Sequence, residues 1–201
     1  MKSDLSDLQI AGLLIGLGAI YFIIAMFVSE ALYAGYSISN NYISDLGVGS
    51  SAWLFNSSII LLGLMIAIGS YFLYKGMHSR IFTALVLIAG VSAIGVGAFN
   101  ENFGVVHVLF SAAVFIFGSV AAIYYGAVWK TAARYPSIIL GAVSLAATIL
   151  LETNIYFGLG PGGMERLIVY PTLLWAVLFS GSLLSSAGLN RRVAHKNGNS
   201  K

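Results

Sequence analysis

The 201-residue chain contains no cysteine. That excludes disulfides, thiolate nucleophiles, cysteine-ligated zinc and iron-sulfur clusters built from its own side chains. Charge is the second scarcity: Asp, Glu, Lys and Arg make up 8% of the residues, against about 25% in a soluble domain. A water-facing surface cannot be built from so few. With 59% hydrophobic residues and a mean hydropathy of +0.91, the chain falls in the membrane class. The formal charge of +3 is scattered over short loops and the tail and makes no clustered basic face of the kind nucleic acid requires. Membrane lipids are therefore the expected partners, and nucleic acid is not.

Long apolar runs are abundant. Crossing the hydrocarbon core takes about 20 mostly apolar residues, and segments near 10–32, 52–74, 81–99, 105–128, 137–157 and 167–188 meet that length. The expected fold is all-α, a polytopic transmembrane six-helix bundle in a single domain, 1–201, with a basic tail over 189–201. Lys2 ahead of the first run gives it a signal-peptide flavour, but the run is too long and Leu32-Tyr33-Ala34 lacks a small-x-small cleavage pattern. The first span is expected to stay.

Basic residues flanking spans are retained in the cytoplasm. With the N-terminus inside, Lys2, Lys75, Arg80, Lys130, Arg134, Arg191, Arg192, Lys196 and Lys201 fall on the inner side, and only Arg166 falls outside. Both termini are thus expected in the cytoplasm of a multi-pass cell-membrane protein. Tyr33, Tyr36, Trp53 and Tyr170 mark one interface, and Tyr74, Tyr125 and Trp129 the other. The 23 glycines, among them Gly12 and Gly16 at GxxxG spacing, suit close helix packing in lipid. Pro171 interrupts the last run, so a kink there, or a span that begins there, is expected.

The acids oppose the bases. Asp45, Glu101 and Glu165 fall in outer loops, Glu30 ends the first span, and Glu152 lies about 22 Å above the inner start of the fifth. Carboxylates at membrane depth must pair, face the bundle interior or border water, so Glu152 is expected to partner Arg166 or His107. Asn40-Asn41-Tyr42-Ile43-Ser44-Asp45-Leu46-Gly47 suits a turn capped by Ser44 or Asp45. Asn100-Glu101-Asn102-Phe103-Gly104 leads to His107, and Ser111 follows one turn later on the same face; this arrangement orients an imidazole for proton transfer or satisfies a structural histidine. Gly158 to Gly163 lacks the Gly-Lys-Ser/Thr of a phosphate loop and is expected to be a flexible turn before a helix. His107 stands apart from His78 and His195, which fall on the opposite side, so no metal, haem or other cofactor is assigned.

Asn41 to Gly47, the Gly95-x-Gly97-Ala98-Phe99 stretch leading to His107, and Glu165-Arg166 followed by Pro171 and Trp175 resemble the membrane family catalogued as domain of unknown function 998. Relatives often carry a proline before the histidine where this chain has Asn100-Glu101. The resemblance implies six spans and an outer polar cluster, without a reaction.

Three functions are compatible with these residues. The first is binding of a lipid headgroup or small amphiphile in a polar pocket open to the extracytoplasmic face, with Asn41, Ser44, Glu101, Ser111 and Arg166 as its ligand-binding residues. An intramembrane hydrolase or lipid-modifying enzyme would use His107 as base with Asp45 or Glu152 as acid. A transporter, a homo-oligomer or a subunit of a membrane complex is the third.

Overall fold

The computed structural model describes the backbone of residues 5–198 and the side chains of residues 5–185. The expected basic tail over 189–201 has its side chains outside the described residues. The protein is all-helical, with α1 Asp7–Leu32, α2 Ala52–Met77, α3 Arg80–Ala98, α4 Val105–Val128, α5 Arg134–Glu152 and α6 Gly160–Gly198. Each has a segment long and apolar enough to cross a membrane, which makes this a multi-pass membrane protein. Two 3-10 turns, Ser44–Gly47 and Glu101–Phe103, lie in the α1–α2 and α3–α4 loops. We call the end of the bundle that carries them the crown and the opposite end the base.

The short connections make sequential helices antiparallel, and each packs on its neighbour in the chain while α1 packs on α6. The ring so formed is uneven, because α4 also touches α6 and α5 lies outside that contact. Lipid offers no hydrophobic drive for helices to associate, so close approach is what holds them. At Gly16 an added Cβ would sit 2.8 Å from the Ser180 Cβ on α6, and Ser180 Oγ donates to the Gly12 carbonyl at 2.5 Å. The GxxxG pair is thus the α1–α6 seam. Gly63 and Gly90 form the α2–α3 seam backbone to backbone, and Gly141 forms the α4–α5 seam against the Ser119 carbonyl.

Local chemistry sets the helix ends. Ser6 and Gln9 form a reciprocal capping box on α1, and the Ser79 hydroxyl caps α3 by accepting from Phe82 N–H. Two ends differ from the sequence expectation. The fifth span was expected to reach Phe157, but α5 stops at Glu152, because Asn154, Phe157 and Gly158 all take positive φ in the turn that follows. The sixth was expected to begin near 167 and kink at Pro171, or to begin at Pro171. Instead α6 begins at Gly160 and runs through Pro171, taking in part of the glycine segment expected to be a flexible turn. Pro161 occupies the first turn, where its missing N–H costs nothing. Pro171 supplies no N–H to the Leu167 carbonyl; one residue on, the Thr172 and Ser144 hydroxyls both lie 2.9 Å from the Ile168 carbonyl, and Ser119 meets Ser144 at 2.8 Å. These hydroxyls fasten α4, α5 and α6 together.

The base is closed by aromatic rings. Phe179 stacks on Trp175 at 5.3 Å and meets Phe82 and Tyr125 edge-on at 5.4 and 4.8 Å, and Trp129 packs against Phe82. Above that floor the ring does not fill. A cavity of about 110 Å³ remains, lined from α1, α2, α3, α4 and α6 and by no residue of α5. One water needs about 10–15 Å³ of such space, so the void is several times larger than a single solvent site.

Candidate functional site

At the crown, α6 presents consecutive charges that diverge. Arg166 turns outward from the helix into the α1–α2 loop and is buried, 5% exposed. Its Nη2 lies 2.5 Å from Glu30 Oε1 and donates to Tyr36 Oη at 2.7 Å, while Nη1 donates to the carbonyls of Ile38 at 2.9 Å and Gly162 at 3.0 Å. Tyr36 passes the link on by donating to the Tyr42 carbonyl at 2.9 Å. Burial, the largest influence, pushes the Tyr36 phenol up to about 12, against the opposing pull of the guanidinium. Glu152 was expected to partner Arg166 or His107; the partner of Arg166 is Glu30. Glu152 is exposed at the last residue of α5 and makes no side-chain hydrogen bond or ion pair among the described residues.

The loop below this strap is tied by its own side chains. Asp45 Oδ2 accepts from Asn41 Nδ2 at 2.8 Å and from Tyr42 N–H at 3.0 Å, and Asn41 Oδ1 accepts from Ser37 N–H at 3.0 Å. Asp45 thus takes the capping role open to it or to Ser44, because its carboxylate reaches back three residues to a free N–H. Ser44 turns the other way and donates to Glu101 Oε1 at 2.7 Å, joining the two 3-10 turns. Burial raises Glu101 from 4.5 to about 7; the nearby Asp45 charge adds to the rise and the Ser44 hydroxyl opposes it.

Glu165 points inward, opposite to Arg166. It is 6% exposed, lines the cavity and receives the Ile43 N–H. No cation lies within ion-pair distance of it among the described residues. The remaining polar groups on the cavity wall are Ser44, Ser111 and Thr172. Ser111 Oγ lies 3.3 Å from His107 Nε2, and His107 Nδ1 lies 2.8 Å from the Phe99 carbonyl. A carbonyl only accepts, so in the neutral ring Nδ1 carries the hydrogen and Nε2 accepts the Ser111 hydroxyl.

The structure therefore brings Asn41, Asp45, Ser44 and Glu101 into one chain of contacts, straps Arg166 to the same loop through the Asn41 carbonyl at 3.4 Å and through Tyr36, and pairs His107 with Ser111, while Glu152 stands apart. Among the described residues no three His, Asp or Glu side chains are grouped to share a metal ion. Three participants did not stand out as site residues in the sequence: Glu30, Tyr36 and Glu165. For Glu165 the available signal was an acid beside an arginine at a helix start, where helical geometry turns successive side chains by about 100° and sends one inward when the other goes out.

A family model described as "Protein of unknown function (DUF998)" matches residues 16–182. No curated protein matches the chain. No solved structure matches it either.

Proposed function

The chain belongs to the DUF998 family, and from that premise we propose that it binds a small amphiphile inside the bundle, entering from the extracytoplasmic side with both termini in the cytoplasm. The observation that carries this reading is the cavity itself: all but four of its 24 lining residues are apolar or glycine, and Ser44, Ser111 and Glu165 stand at its crown end. Enclosed apolar space with a few convergent polar groups at one end is the usual form of a small-molecule site. The orientation follows from the bases: Lys75, Arg80 and Arg134 lie at the base ends of α2, α3 and α5, and Lys130 lies in the α4–α5 loop at the same end, the side that basic loops keep in the cytoplasm.

The test is extraction of the protein from native membrane in polymer-bounded discs, followed by mass spectrometry of what travels with it. An amphiphile enriched at about one per chain, and lost when the cavity is filled by Ala93→Phe, is the expected outcome. A lipid profile identical in the two proteins defeats the reading.

A second reading is an intramembrane hydrolase or lipid-modifying enzyme, favoured by the Ser111–His107 contact, which puts an oriented imidazole beside a hydroxyl on the cavity wall. Asp45 is committed to Asn41 and Tyr42 N–H, so the acid in that scheme would have to be released from its loop. Replacement of His107 by Gln with no change in cellular lipids would remove this second reading.

A further inference from the structure

The dimensions and hydrogen-bonding sense of the cavity specify what kind of amphiphile fits. Along α6 the lining residues run from Glu165 to Phe179, along α2 from Phe55 to Ile66, along α3 from Val86 to Val96, and along α4 from Ser111 to Ala121. At 1.5 Å per residue these stretches are about 15–21 Å long. Four helices thus agree on a narrow slot whose depth is that of one bilayer leaflet, about 15 Å. Phe22, Phe55, Phe115 and Trp175 line it, and Phe179 and its ring partners floor it. With about 110 Å³ open the slot has no room for two chains, and it takes one extended chain only as the side chains along its length move aside.

The crown end of the slot offers acceptors. The Ser44 hydroxyl hydrogen is spent on Glu101 and that of Ser111 on His107 Nε2, which leaves each oxygen with lone pairs to accept. Glu165 brings a carboxylate with one close hydrogen bond from Ile43 N–H and no cationic partner among the described residues. The arginine of the crown does not serve an anionic head: Arg166 is not among the residues that line the slot, and both of its terminal nitrogens are engaged by Glu30, Tyr36, Ile38 and Gly162. An acid or phosphate head would meet lone pairs and a carboxylate. A donor head would meet three acceptors and, if cationic, would neutralise a buried charge.

We propose that the ligand is a single-chain amphiphile with a non-anionic, hydrogen-bond-donating head, a long-chain amine or alcohol, bound with its head at Glu165, Ser44 and Ser111 and its chain alongside Trp175. This rests on the interior-binding reading above and narrows it to a ligand class.

Trp175 reports occupancy. In a Trp53→Phe/Trp129→Phe background reconstituted in nanodiscs, its fluorescence is followed while mid-chain brominated hexadecylamine, hexadecanol or palmitate is added, at about pH 9 so that the acid is ionised. Each titration is compared with Ala93→Phe in the same background, which reports quenching from the surrounding bilayer alone; Ala121→Leu replaces it if that variant does not fold. The expected result is cavity-dependent quenching by the amine, the alcohol or both, at about tenfold lower concentration than palmitate needs, with Glu165→Gln reducing the preference for the amine. Palmitate quenching as well as the amine and the alcohol overturns the head-group assignment and leaves interior binding intact. Equal quenching in the parent and the filled variants by all three probes overturns both.

Discussion

Removing one member of the Arg166–Glu30 pair tests the strap most directly. The two side chains retain 6% and 14% exposure, so solvent screens them little, and breaking such a pair leaves an uncompensated buried charge that costs about 3–5 kcal/mol. Arg166→Met strands Glu30 together with the carbonyls of Ile38 and Gly162, and Glu30→Leu strands the guanidinium. Both are expected near the upper part of that range. Glu30→Gln keeps an oxygen for Nη2 and loses only its charge, so about 1.5–3 kcal/mol is expected, the worth of a charge-assisted hydrogen bond. The double replacement Glu30→Leu/Arg166→Met removes both charges, and only the unmet carbonyls and the Tyr36 hydroxyl remain as a penalty, about 1–3 kcal/mol. Equilibrium unfolding in mixed micelles with rising dodecyl sulfate, read by tryptophan fluorescence, supplies the four corners of the cycle. The double variant should be more stable than the sum of the singles by well over 1 kcal/mol. Additivity of the two single losses, or a loss below about 0.5 kcal/mol for Arg166→Met, would refute the strap.

Other expectations follow from the same contacts. The folded protein holds a proton on Glu101 up to about pH 7, whereas an unburied glutamate releases it near 4.5; folded binds more protons than unfolded between those values, so stability falls as pH rises through that window. Melting curves across it should show that slope, Glu101→Gln should flatten it, and a slope of opposite sign counts against the assignment. Gly16→Val must push α1 off Ser180 and should cost about 1–3 kcal/mol, whereas Gly181, where an added Cβ meets nothing within 4 Å, should accept Ala with no loss. Reporter fusions after Ser185 should be active only in the cytoplasm, and an exterior reporter would reverse the proposed orientation.

Helix existence was legible because it depends on hydropathy and length alone. The expected run 105–128 coincides with α4, and 52 and 32 mark the start of α2 and the end of α1. Hydropathy does not register backbone sign, so the segment through Phe157 looked helical although two of its residues, Asn154 and Phe157, adopt positive φ. At Pro171 a kink or a helix start was left open, and the helix does not start there; the hydroxyls that tie this turn to α5, Ser144 and Thr172 on the Ile168 carbonyl, come partly from another helix and leave no mark in a single run. At the crown, counting residues along each span gave heights, and the height of Arg166, Glu30, His107 and Glu152 is similar. It gave no position around the ring. Helix order places both α1 and α5 beside α6, so the choice lies in direction: Arg166 turns toward the α1–α2 loop and the end of α1, where Glu30 lies, while Glu152 is exposed at the last residue of α5.

The acids of the crown then sort by what they meet. Glu30 has a guanidinium, Asp45 has two donors from its own loop, and Glu101 has Ser44 and a raised affinity for its proton. Glu165 has backbone N–H contact and an apolar slot below it. A buried carboxylate without a cation is costly and persists where something else compensates it, at least part of the time. Its one-residue offset from Arg166 makes the situation hard to relieve from within the fold, because the strap that anchors α6 to α1 holds the nearest positive charge on the opposite face. Replacing Glu165 by Leu should accordingly stabilise the empty bundle while abolishing amine binding. A protein in which that substitution left both stability and binding unchanged would show that the carboxylate is idle.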